Sequence, residues 1–186
     1  ITPSSINIPA GLSGLVSVHA IRKDGFDGEV VVRGWTENTG ASVLDRLADL
    51  NQLVGEFLVT FVEREGRLGG IDLEAARRVV DAAGGTRVTI AGGITTAGDV
   101  AALDRLGADA QIGMAIYTGR LDLADAFAAP LISDRADGLW PTVVCDEHGT
   151  ALGLVYSSAD SLRAAVAERR GIYWSRSRSE LWRKGE

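Results

Sequence analysis

The chain predicts an α/β fold, on three observations. Short apolar runs alternate with amphipathic helical stretches from residue 15 to 127, glycine pairs close some of the apolar runs, and after Pro130 the alternation gives way to a hairpin pattern. Strands joined by helices in this way form parallel units, whose right-handed crossovers lay the helices on the sheet faces.

In chain order, residues 15–21 and 30–33 read as strands around a turn at Lys23-Asp24-Gly25, and 42–53 as a helix. Residues 56–62 read as a strand, 72–83 as a helix, 87–91 as a strand, 97–106 as a helix, 110–113 as a strand and 122–127 as a weaker helix. Four strands would leave two open edges where eight close a barrel, so this part is expected to be half a barrel or a small open sheet. Open edges predict self-association. Beyond Pro130, residues 140–146 and 151–156 flank a turn at Glu147-His148-Gly149, and a helix over 159–169 follows, capped by Ser157 or Ser158. A boundary is expected near Ser133-Asp134-Arg135, dividing 1–133 from 134–186.

The 186 residues carry a net charge of -6, a 46% hydrophobic content and a single cysteine, Cys145. That is enough apolar material for one ordinary domain and a smaller one. The acidic balance argues against a general nucleic-acid binder, although the stretch after Arg163 is locally basic and could hold a phosphate or an acidic partner. A lone cysteine makes no internal disulfide and no multi-cysteine metal site, which leans towards a reducing cytoplasm. No apolar run suits a bilayer span, and residues 1–10, interrupted by Pro3 and Pro9, do not resemble a signal peptide, so no membrane association is expected. The chain opens at Ile1 without Met and ends inside a dense run of cations, hydroxyls and tryptophan, from Tyr173 to Glu186, so a slice of a longer protein is expected. Such a run suits a phosphorylated, ring-bearing ligand: guanidinium groups fork onto phosphate oxygens and aromatic faces stack on bases.

Two glycine groups point to phosphate in the first segment. Ala91-Gly92-Gly93 ends a strand, and Thr95-Thr96-Ala97-Gly98-Asp99 follows with cap spacing before a helix. Gly113-Met114-Ala115 ends the next strand and supplies a second set of backbone amides. Loops after the last two strands of an eight-stranded α/β barrel commonly hold a phosphate in this way. Tight turning alone is the competing explanation of these glycines.

The run Arg33-Gly34-Trp35-Thr36-Glu37-Asn38-Thr39-Gly40, the stretch from Gly55 to Gly70 containing Thr60, and Ala91-Gly92-Gly93-Ile94 together resemble the C-terminal half of the ProFAR isomerase family, roughly over residues 15–127. The resemblance implies half of a (βα)8 TIM barrel and an aldose-to-ketose rearrangement in histidine biosynthesis. It implies that Gly92, Gly93, Gly113 and Met114 hold a substrate phosphate, that Arg33 and Trp35 belong to a substrate-covering loop, and that Thr60 lies near the reacting sugar. Such a rearrangement needs paired acid and base groups. The positions where the family carries acids fall near His19-Ala20 and at Phe61, which leaves His19 as the candidate acid or base. Glu63 and Glu65 are expected to face solvent or the loop.

Residues 137–146, 154–156 and 171–186, with Ser175-Arg176-Ser177-Arg178 and Trp182-Arg183-Lys184-Gly185-Glu186, resemble the start of phosphoribosyl-AMP cyclohydrolase. That resemblance implies hydrolytic opening of a purine ring, with zinc and magnesium in the full domain and none in this stretch, since Cys145 and His148 match no ligand position. Substrate contacts are then expected from Ser175, Arg176, Arg178 and Lys184, with Ser177 nearby and Glu186 near the chemistry. The implied partners are phosphoribosyl nucleotide substrates and, through a complete cyclohydrolase domain, a second copy in a homodimer. The two likenesses describe consecutive reactions, so the expected parent is a bifunctional histidine-biosynthesis protein in which this stretch alone is inactive. Three readings compete: a non-catalytic sugar-phosphate-binding half barrel, a cyclase-type sister half barrel, and a basic RNA-binding tail.

Overall fold

A computed structural model describes residues 16–21, 29–32 and 37–185, and it divides into two compact units, 1–121 and 122–186. The division falls before the join expected near Ser133. The helix Leu123–Ala128 packs with the helix Ala159–Glu168, and Arg163 of the latter donates to Asp125 at 2.8 Å, so this short helix belongs to the second unit.

The first unit is an α/β sheet. Its strands are β1 (Val16–Ile21), β2 (Glu29–Val32), β3 (Glu37–Ser42), β4 (Glu56–Phe61), β5 (Arg87–Ala91) and β6 (Ala108–Gln111), in the spatial order β3-β2-β1-β4-β5-β6. β1, β4, β5 and β6 run parallel, while β2 and β3 extend the sheet antiparallel beyond β1. Among the described residues the sheet does not close. Its helices are α1 (Val43–Leu50), α2 (Leu73–Ala82) and α3 (Ala97–Leu106), and α1 packs on α2 and α2 on α3. The parallel strands follow chain order without reversal, and right-handed crossovers then keep successive helices on one face. Alternation along β4 and β5 fits: Phe57, Val59, Phe61, Val88 and Ile90 are at most 1% exposed. The intervening residues carry polar pairs, Thr89 Oγ1 donating to Glu56 at 2.7 Å and Arg87 Nε to Asp109 at 2.6 Å.

Local chemistry fixes the helix ends. Ser42, Asp72 and Thr96 cap α1, α2 and α3 through their side chains, and Gly107, at φ +80°, ends α3 in the left-handed region. That cap sends the chain straight into β6, which begins at Ala108 rather than at Ala110 as expected. A four-residue helix, α4 (Met114–Tyr117), follows β6.

The second unit contains α5 (Leu123–Ala128), the hairpin β7 (Trp140–Cys145) and β8 (Ala151–Ser157), α6 (Ala159–Glu168), and the hairpin β9 (Ile172–Ser175) and β10 (Glu180–Arg183). Asp146 makes the first hairpin turn by accepting from the amides of His148 and Thr150 at 2.9 and 2.8 Å. Of the two expected caps for α6 it is Ser158 that serves, in a reciprocal capping box with Ser161. Arg183 forks onto Glu168 at 2.8 and 3.1 Å, tying β10 to α6. Among the described residues no helix is long and apolar enough to cross a membrane.

Candidate functional site

Parallel pairing brings the carboxyl ends of β1, β4, β5 and β6 to one edge. His19 stands opposite Thr60, and Thr60 opposite Ala91, in the backbone register. Thr60 is 5% exposed. Arg33, Trp35 and Glu186 lie outside the described residues, as does the side chain of His19.

Beyond these strand ends is a small pocket open to solvent, lined by Glu65, Gly92, Gly93, Gln111, Gly113 and Met114 among others. Four of the expected phosphate contacts therefore meet in one place. Gly92 and Gly93 have φ of +90° and +89°, and each packs where no side chain fits: a Cβ on Gly92 would lie 2.5 Å from the Phe61 carbonyl oxygen, and one on Gly93 2.6 Å from that of Gly70. Close packing thus accounts for the glycines, and amides brought this near a pocket can also turn towards an anion. The first turn of α4 adds amides that its own helix cannot satisfy.

The start of α3 is different. Asp99 accepts from the amides of Thr95 and Thr96 at 3.0 and 2.9 Å and from the Thr95 hydroxyl at 3.1 Å, while Thr96 accepts from the Asp99 amide. This terminus is capped by its own carboxylate, so the amides left for a ligand are those of the glycines and of α4. Burial pushes the Asp99 carboxyl up, but the hydrogen bonds from Thr95 and Thr96 outweigh it and hold the group below its ordinary value. A depressed carboxylate stabilises the fold fully above its unfolded pKa, and that contribution is lost as pH falls through the folded value. Asp99→Asn is expected to cost about 1 kcal/mol at neutral pH, with the gap to wild type in urea midpoint closing as pH is lowered below about 4.

Glu65 was expected to face solvent or the loop, yet it lines the pocket, its Oε1 4.0 Å from where a Cβ on Gly113 would stand. Arg64 explains the placement. Its Nη1 donates to the Gly70 carbonyl at 3.0 Å and its Nη2 lies 3.7 Å from Asp72, folding the 65–70 loop back over the strand ends. Sequence spacing does not show this turn, although Arg followed by a glycine-rich stretch and a capping Asp is the signal that could have found it.

Phe61 falls in the core at 1% exposure, one residue on from Thr60 and so on the alternate side of the strand. Its difference from an acidic residue is a packing matter.

In the second unit, β9 and β10 carry the basic run. Arg178 Nε lies 3.0 Å from Glu180 and 3.3 Å from Ser175 Oγ, and Ser175 is 3.5 Å from Ser177. Arg176 stacks on Tyr156 with 3.8 Å from guanidinium carbon to ring centroid, and Lys184 sits 4.9 Å from the Trp182 ring. The structure thus brings Ser175, Ser177 and Arg178 together and gives Arg176 and Lys184 separate aromatic supports.

Among the described residues no three His, Cys, Asp or Glu side chains gather to hold a metal ion. Cys145 is exposed and unpaired, His148 is exposed, and Asp146 is spent on its turn. These residues do not fit zinc or magnesium.

The family model described as Histidine biosynthesis protein matches residues 13–122, and that described as Phosphoribosyl-AMP cyclohydrolase matches residues 153–186. A histidine biosynthesis trifunctional protein of Neurospora crassa is 54% identical over 67 residues, 36% of this chain and 8% of that one. The 1-(5-phosphoribosyl)-5-((5-phosphoribosylamino)methylideneamino) imidazole-4-carboxamide isomerase of Myxococcus xanthus is 46% identical over 96 residues, 50% of this chain and 40% of that one. The enzyme of the same name from Halobacterium salinarum is 43% identical over 110 residues, 57% of this chain and 44% of that one. The matches span less than half the length of each of these relatives.

Proposed function

This chain belongs to the histidine biosynthesis protein family, and from that premise we propose that it serves two consecutive steps of histidine biosynthesis within a longer polypeptide. Its first unit is half of a (βα)8 TIM barrel that holds a phosphate of ProFAR during aldose-to-ketose isomerisation. Its second unit supplies substrate contacts for the hydrolytic opening of the purine ring of phosphoribosyl-AMP, the step that yields ProFAR.

The observation that carries this reading is the pocket at the carboxyl ends of the parallel strands, where Gly92, Gly93, Gly113 and Met114 meet. The parallel strands β1-β4-β5-β6, in chain order without reversal, support a barrel over a parallel sheet that reverses at a switch point. The isomerase names of relatives 43% and 46% identical support isomerase over cyclase. The rearrangement moves a proton between neighbouring sugar carbons, which needs a group able to give and take it near the bound phosphate. Glu65 is such a group, with His19 and Thr60 at the adjoining strand ends. In the second unit Arg176, Arg178 and Lys184 present the positive charge that a phosphoribosyl group requires, and Ser175 and Ser177 the hydroxyls. Zinc and magnesium would need ligands beyond the described side chains. We place the parent protein in the cytoplasm, as a homodimer through its cyclohydrolase domain.

Two measurements test this. Titrating the isotopically labelled chain with inorganic phosphate is expected to shift the amide resonances of Gly92, Gly93, Gly113 and Met114; shifts scattered over the surface instead would defeat the phosphate site. The longer polypeptide, given ProFAR, is expected to form the ketose, and tight sugar-phosphate binding without turnover would replace isomerisation by a purely binding role.

A further inference from the structure

Arg176 and Arg178 stand two residues apart in one exposed turn, yet their surroundings differ. Arg178 is engaged by Glu180 and Ser175. Arg176 lies on the Tyr156 ring; among the described residues no hydrogen bond or close ion pair engages its guanidinium, although its charge also acts on Asp137. Stacking uses the flat face of a guanidinium and leaves its N–H groups, which lie in the plane, open to an anion. The ring is itself braced. Tyr156 is paired with Pro141 across β7 and β8, and the Arg135 guanidinium lies 5.0 Å from the same ring centroid. Arg135 Nε donates to Asp137 Oδ1 at 2.9 Å and its Nη2 donates to the other carboxylate oxygen, while the Leu139 amide donates to Asp137 at 3.1 Å. The nearby carboxylate is therefore engaged by Arg135.

We propose that Tyr156 is a positioning residue: it holds the Arg176 guanidinium edge-outward so that this fork, rather than that of Arg178, receives the phosphate of a nucleoside monophosphate. The inference rests on the reading of the basic run as a substrate-contacting surface. Its physical basis is the rotamer freedom of an exposed arginine, which binding must otherwise remove; an arginine already stacked loses less of it on meeting the anion.

The test uses the full chain with adenosine monophosphate and, separately, inorganic phosphate as probes, followed by calorimetry and by proton resonances of the Arg176 side chain. In the unaltered protein the Arg176 side-chain protons are expected at upfield, ring-shielded positions, and their absence there would overturn the proposal without any variant. Tyr156→Phe is expected to keep both the shielding and the affinity. Tyr156→Leu is expected to lose the shielding and to weaken adenosine monophosphate about 5-fold, and to cost nothing further when made in an Arg176→Met background. Wild-type affinity in a folded Tyr156→Leu, or full additivity of the two changes, would sink the positioning role. If Arg176→Met alone binds as tightly as wild type, the substrate-contact reading of Arg176 fails instead, which is a separate result. Equal response to both probes makes the phosphate the recognised group, while a response to the nucleotide alone would contradict phosphate capture by Arg176.

Discussion

Phe61→Asp is expected to destabilise the first unit by more than about 4 kcal/mol, enough to leave it unfolded if its total stability is ordinary for a domain. The change removes a ring that is 1% exposed and puts a carboxylate in its place, with burial acting against its charge. Phe61→Leu keeps an apolar group there and is expected to cost far less, about 1 kcal/mol. Urea unfolding followed by circular dichroism separates the two. The consequence for function is that an acid at this position would not add a catalytic group on the Thr60 side of β4, and Phe61→Asp is expected to abolish the isomerase activity of the longer polypeptide by unfolding its first unit. Activity retained by that variant would refute the core assignment.

The second large effect is at Gly92. Alanine there meets an unfavourable φ of +90° and, in addition, the Phe61 carbonyl oxygen at 2.5 Å. Gly107→Ala provides the comparison, because its φ of +80° is similar and nothing lies within 4 Å of the added carbon. The conformational penalty alone is about 1 kcal/mol, so Gly107→Ala is expected to lose that much. Gly92→Ala adds a clash with backbone of a central strand, which cannot move aside cheaply, and is expected to lose about 2 kcal/mol more. It is also expected to abolish the phosphate-induced shifts at Gly93 and Gly113, whereas Gly107→Ala leaves them intact. Equal destabilisation by the two would mean that the close approach at Gly92 is relieved by backbone adjustment.

The central units were legible because their signals are local. β4 and β5 are short apolar runs, and α2 and α3 start where Asp72 and Thr96 announce them. Where structure depends on partners, the sequence was silent. β3 runs Glu37-Asn38-Thr39-Gly40-Ala41-Ser42, polar residues with little strand character, and it is a strand because β2 pairs with it. α4 is only four residues long, below the reach of any periodicity. At the site, Gly92, Gly93, Gly113 and Met114 were legible as glycine-rich strand ends, and they converge. Glu65 was not, because its position depends on the Arg64 contact with Gly70 across the loop. The stack of Arg176 on Tyr156 was equally hidden, since it joins residues from two different strand pairs.

The self-contained cap of α3 has a consequence for how this site can change over evolutionary time. Because Asp99 satisfies the helix terminus from within, that helix needs no bound anion to keep its end in order. Ligand grip and helix integrity are carried by separate residues. Drift at Met114 or Gln111 can therefore retune what the pocket accepts without loosening α3, and an empty pocket leaves that corner of the sheet as firmly built as a full one.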